Sequence, residues 1–363
     1  MKMKELFRKR KIILSLSTAL IGVFLAVRYA EECRRGIGSG IGFCLEVLIP
    51  SLFFFMIVAA YIVQSGIAAL LCRPLERISQ ALFRLPAQSA AVILLAMIGG
   101  YPVGASCASI LAKEGRLSPS QAAKTVYIAV AAGPGFLLNF IGRTLLNNPQ
   151  AGTILLWSQV IAVILTGVIV GHTVKSEPLS HSPRHPEEVG RNLLVRAVRN
   201  ASGAAFGMCA MVVMFCALTE VMDTVIPDRG VCDIASAILE ITNGCSRTCG
   251  RTPLYLTAFF VGFGGLSVHF QIFSAVGELP VKKGLFFLFR ITEGIIAMAA
   301  AYRYLMFTPT TITVFSSLST TPTAAKSATL AGSAALVLSS LLFIGSIAKK
   351  TVLTQDRHHD TEV

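Results

Sequence analysis

Long apolar runs alternate along this chain with short connectors rich in arginine and lysine, a period far too long for a soluble fold. Residues 12–30 form the first run, directly after Lys2, Lys4, Arg8, Lys9, Arg10 and Lys11. Its length and basic start predict an anchor whose N-terminus is cytoplasmic, and the lack of small residues at a cleavage spacing predicts that it is retained. Residues 43–64 form the second span, followed by a basic amphipathic connector over 72–84. Residues 89–111 are apolar again, end in Lys113-Glu114-Gly115-Arg116, and are interrupted by Gly99-Gly100-Tyr101-Pro102-Val103-Gly104. With basic connectors on both flanks, this segment reads as a re-entrant helical hairpin. Ser118-Pro119-Ser120-Gln121 marks a helix start, a span over 125–141 carries a Gly133-Pro134-Gly135 kink, and 153–172 returns. Residues 173–200 are the one long polar stretch and read as a cytoplasmic linker.

After that linker the order repeats. A span over 204–226 leads to an amphipathic connector over 232–242, and then to an apolar segment over 254–276 broken by Gly262-Phe263-Gly264-Gly265-Leu266-Ser267-Val268-His269. A span over 284–302 and a last one over 329–347 complete the pattern. Non-helical backbone at membrane depth survives only if protein buries it or a wet cavity receives it, so two broken segments in separate halves point to one midplane site. The expectation is an all-α polytopic bundle with two inverted-topology repeats, about seven crossings and two re-entrant hairpins. Its parts are an N-terminal anchor (1–39), a first repeat (40–146, hairpin 89–111), a connecting span and linker (147–200), a second repeat (201–306, hairpin 254–276) and a C-terminal span with a polar tail (307–363).

Composition supports that reading: 54% of the 363 residues are hydrophobic, 14% are charged, and mean hydropathy is +0.68. The net charge of +13 sits in the connectors and not along one face, so it reads as the positive-inside signal and not as a nucleic-acid surface. The nine cysteines are scattered; Cys232, Cys245 and Cys249 cluster in a connector where a disulfide is chemically allowed, although free thiols are favoured. No nucleophile elbow, H-E-x-x-H or phosphate loop is visible. Neither an enzyme nor a cofactor or metal site is expected.

Polar groups inside apolar runs are costly, and each needs an account. Tyr101 stands at the first break, where Gly100, Pro102 and Gly104 allow close backbone approach and a helix N-terminus facing a ligand; a glycine-packed helix contact is the equal alternative. Ser267, His269 and Gln271 follow Gly264 and Gly265 and offer hydroxyl, imidazole and amide groups to a polar ligand, while a satisfied structural histidine is the more ordinary role for His269. Arg290 and Glu293, at an i, i+3 spacing, read as a buried structural ion pair. Asn139 reads as an interhelical hydrogen bond and Glu46 as a snorkelling or helix-end group. Valine at Gly104 or Gly265, at the hairpin tips, is expected to abolish function while leaving protein level near normal.

The ordered set Pro50-Ser51-Leu52-Phe53, Gly100-Tyr101-Pro102-Val103-Gly104-Ala105, Leu239-Glu240-Ile241-Thr242-Asn243-Gly244 and Gly262 to His269 resembles the sporulation integral membrane proteins of endospore-forming bacteria, the YlbJ type of the nucleoside-recognition or Gate-domain group. The resemblance runs from about residue 40 to residue 305. It implies a multi-pass protein of the bacterial cell membrane used in spore formation. A transporter- or channel-like protein moving a small polar, nucleoside-like solute is one such role, and a structural or assembly protein of the sporulation membrane, partnered by other sporulation proteins or by its own copies, is the other. The motif also lifts Glu240 and Asn243 to ligand candidates, although Asn243-Gly244 alone reads as a turn or helix C-cap. The sequence lacks the acidic cluster that would bind a driving cation.

Overall fold

The computed structural model describes residues 16–17, 19–71, 73–178 and 192–307. The basic residues 1–11 and the expected final span over 329–347 lie outside the described residues. Among the described residues the regular elements are all helices, and five of them are long and apolar enough to cross a membrane. A sixth forms if Arg73–Leu82 and Ala87–Gly99, which meet at 93°, count as one span.

The N-terminal part departs from two separate spans. Helix α1 (Ala19–Arg28) turns at Tyr29 into α2 (Ala30–Phe43), which runs through a π-helical stretch, Cys44–Leu48, into α3 (Ile49–Gln64). The polar residues between the two expected spans are helical, with their charges paired: Arg34 donates to Glu31 within one turn, and Arg35 Nε donates to Glu220 at 3.2 Å. Gly36 and Gly40 let α2 lie directly on α10 (Leu193–Val225). A Cβ at Gly36 would stand 2.5 Å from the Cys216 carbonyl oxygen, and one at Gly40 2.7 Å from the Val213 Cα. This is the small-residue packing by which helices associate in lipid.

Short helices α4 (Ile67–Leu71) and α5 (Glu76–Leu82) lead to α6 (Ala87–Gly99) and α7 (Tyr101–Lys113), packed on each other across Gly100. Helix α8 (Pro119–Val126) begins at the expected helix start, and the start is a capping box, Ser118 and Gln121 bonding reciprocally. The chain then unwinds over residues 129–133 before a π-helical stretch, Gly135–Leu145, and α9 (Pro149–Thr173), whose N-cap Asn148 accepts from the Gln150 and Ala151 amides.

In the second half, α10 packs along α2 and α3. The expected connector over 232–242 is instead a folded helix pair, α11 (Arg229–Leu239) and α12 (Ile241–Thr248), parted at Glu240. Helices α13 (Leu254–Phe263) and α14 (Gly265–Val276) follow, parted at Gly264, and α15 (Lys283–Phe307) packs against α9 and α13. Apolar side chains such as Trp157, Phe206 and Leu288 point outward, as lipid contact requires. Helices α7, α8, α12, α13 and α14 are mostly buried, and the breaks at Gly100, residues 129–133, Glu240 and Gly264 lie among them or beside them.

Candidate functional site

Four interruptions frame the centre: Gly100, residues 129–133, Glu240 and Gly264-Gly265. Gly100 has φ 89° and ψ 178°, and Gly264 and Gly265 have φ 86° and 74°, values that strain any residue carrying a Cβ. Each break frees backbone groups that lipid cannot satisfy. The protein answers across the two halves. Tyr101, from the first break, donates its hydroxyl to the Val261 carbonyl at 2.7 Å, one of the carbonyls left at the end of α13. In return Arg290, from α15, donates to the carbonyls of Val130 (2.7 Å) and Tyr127 (3.3 Å), beside the unwound segment of the first half.

The interruptions at Gly100, residues 129–133 and Glu240 meet at a crevice between the halves whose empty volume, counting space at its open mouth, is about 380 Å³. Gly100, Tyr101, Gly133, Glu240, Thr242 and Gln271 line it, with apolar side chains from α3 and α10 closing the wall. Glu240 is its one carboxylate. It caps α12, accepting from the Asn243 amide at 2.6 Å, is 1% exposed, and forms no ion pair among the described residues. From the same cap a polar chain runs outward. Asn243 donates to the Thr219 hydroxyl (2.7 Å), Arg247 donates to Asn243 Oδ1 (3.2 Å), and Arg247 pairs with Asp223 and Glu220, the latter also held by Arg35.

Of the residues expected from the sequence to form the site, Gly100, Tyr101, Pro102, Glu240 and Gln271 line this crevice. Asn243 stands one turn behind Glu240, and Ser267 accepts from the Gln271 amide at 3.0 Å, fixing its orientation. His269 does not line the crevice. It is fully buried among Phe263, Phe286 and Phe287, with Nδ1 on the Gly265 carbonyl and Nε2 without a partner among the described residues. Gly264 faces the Tyr101 ring, and Gly265 abuts the backbone where α11 meets α12. Gly104 is not at a tip: it lies a turn into α7, where a Cβ would stand 2.0 Å from the Ala129 carbonyl oxygen. Valine there cannot leave the fold undisturbed, which revises the expectation of normal protein level.

Arg290 and Glu293 form the expected ion pair, and more. Both are fully buried, and the Gln159 amide donates to the free Glu293 oxygen at 2.6 Å. Sequence reasoning missed Gln159 and the carbonyls of Tyr127 and Val130. Gln159 was open to detection as a lone amide in an apolar run; the carbonyls carry no side-chain signal at all. Among the described residues no group of three or more His, Cys, Asp or Glu could hold a metal, and Cys232, Cys245 and Cys249 are free thiols.

Against known proteins, no family model and no solved structure matches the chain. It is similar to the sporulation integral membrane protein YlbJ of Bacillus subtilis (strain 168), with 21% identity over 344 residues, 81% of this chain and 84% of that protein. The likeness to the YlbJ type read from four motifs therefore holds over most of both chains.

Proposed function

We propose that this YlbJ-like integral membrane protein serves spore formation in the bacterial cell membrane, with its N-terminus cytoplasmic, by passing a small polar solute through the crevice at Glu240. The observation that carries the reading is the convergence of broken backbone from both halves on one crevice holding an unpaired buried carboxylate. Lipid-embedded chains bear such costs where a pathway needs them. The order of elements favours inverted repeats in a register different from the one expected. Helices α6 and α7 take the place that α11 and α12 take in the second half, and the segment from α8 through the π-helical stretch takes that of α13 and α14. In this reading α6–α7 and α11–α12 are the re-entrant pairs, and α13–α14 is a broken crossing.

The crevice chemistry favours solutes bearing hydroxyl or amino donors, for Glu240 and the Gln271 carbonyl oxygen to accept. Nucleosides belong to that class, and no chemical conversion of the solute is part of the reading. The test is uptake of a nucleoside and polyol panel by liposomes carrying the purified chain, beside sporulation efficiency in a host lacking its own copy. Uptake above empty liposomes that falls with Glu240→Gln supports it. Uptake no faster than empty liposomes for every solute, with Glu240→Gln sporulating normally, overturns it.

One observation favours the second reading, a structural protein of the sporulation membrane: each half is packed internally through glycine contacts as tight as Gly104 on Ala129 in the first and Gly262 on Gly294 in the second. That reading makes sporulation follow membrane abundance across all variants, whatever their place in the crevice.

A further inference from the structure

Backbone carbonyls freed by an unwound transmembrane helix are the usual ligands of a coupling cation in broken-helix transporters. Here the carbonyls of Tyr127 and Val130, at the unwound segment of the first half, already face a positive charge that belongs to the chain. The Arg290 guanidinium donates to both, pairs with Glu293, and is fully buried. Glu293 is closed on its other side by the Gln159 amide. The set of oxygens is what a monovalent cation would want: two carbonyls and one carboxylate. A guanidinium fits it better than a bare ammonium, because its planar fork addresses carbonyl and carboxylate together.

We infer that Arg290 is a tethered cation, occupying the seat that the Tyr127 and Val130 carbonyls form with Glu293, so that no exchangeable cation binds at this break. Resting on the solute-pathway reading, this makes passage through the crevice independent of sodium or another alkali ion at that seat. The charge at that seat stays with the protein through any cycle.

The consequence is testable without knowing the solute. The full-length protein in detergent is melted in chlorides of sodium, potassium, lithium and N-methylglucamine at one ionic strength, as wild type, Arg290→Ala, and Arg290→Ala with Glu293→Gln. The wild type is expected to melt at one temperature in all four salts. Arg290→Ala melts lower and regains about 3 °C or more with millimolar methylguanidinium, and less with sodium, because an empty seat now binds the free cation. The double variant, without the carboxylate, gains nothing. A wild type stabilised selectively by one alkali ion overturns the inference even if neither variant folds, and so does a folded Arg290→Ala that responds to no cation. Neither result touches the crevice reading, which stands or falls on liposome uptake.

Discussion

Two charged sites are buried at the centre of this molecule, and they are satisfied in opposite ways. At Arg290 the opposing groups come from the protein: Glu293 on the same helix, itself held by Gln159 of α9, and two carbonyls from the first half. At Glu240 the carboxylate accepts from the α12 backbone and meets no cation among the described residues, although it borders an open crevice. Burying charge costs several kcal/mol in either place unless partners offset it. A site that neutralises itself is architecture. A site left short of a positive partner, beside empty space, is where a solute's donors gain most, because they replace an interaction the fold does not supply.

The sharpest way to break this contrast is to strike the first site through its backbone. Gly104→Val forces a side chain onto Ala129, next to the carbonyls that Arg290 holds, and is expected to cost more than about 4 kcal/mol, with most of the protein lost from the membrane. Quantitative immunoblotting of membrane fractions reads this directly; normal abundance would mean that the unwound segment tolerates displacement. Next, Arg290→Ala leaves Glu293 unpaired and is expected to cost about 3–5 kcal/mol in thermal unfolding. A loss no larger than that of Glu240→Gln would erase the distinction between the sites. Tyr101→Phe strips the Val261 carbonyl of its donor at the second break and should cost about 1–3 kcal/mol by the same measurement. Unchanged stability would show that water or another group satisfies that carbonyl. The smallest stability effect belongs to Glu240→Gln. The amide oxygen can still cap α12, so unfolding should move by less than about 1 kcal/mol while solute uptake and sporulation fall.

Reading the sequence located some of this and missed the rest for identifiable reasons. The breaks at Gly100 and Gly264 were visible because positive φ demands glycine, and glycine inside an apolar run is conspicuous. The break at Glu240 was not, since Glu240 has an ordinary extended conformation, φ −142° and ψ 116°, and the surrounding pattern reads as a surface helix. Residues 129–133 unwind at alanines and a valine that carry no signal, and only the glycines and proline at 133–135 hinted at it. The all-helical class followed from hydropathy alone. The pairing of Arg290 with Glu293 followed from helical spacing, whereas its bonds to Tyr127 and Val130 span 163 and 160 residues of chain and are a property of the tertiary fold only. His269 is the reverse case: a lone histidine after a glycine break invites a ligand role, and the three phenylalanine rings around it agree with the structural role that is the more ordinary one.

That long separation has a consequence for how the protein is made. Tyr127 and Val130 leave the ribosome some 160 residues before Arg290, which at ordinary synthesis rates is roughly ten to thirty seconds. Through that interval their carbonyls have no guanidinium to bond, so the nascent segment keeps its own helical bonds or stays out of the hydrocarbon. Arrival of α15 then supplies the donors for those carbonyls, and the centre of the first half is completed by the last described helix of the second. A chain halted before residue 290 should insert its earlier helices and yet leave the Tyr127 and Val130 carbonyls without their guanidinium.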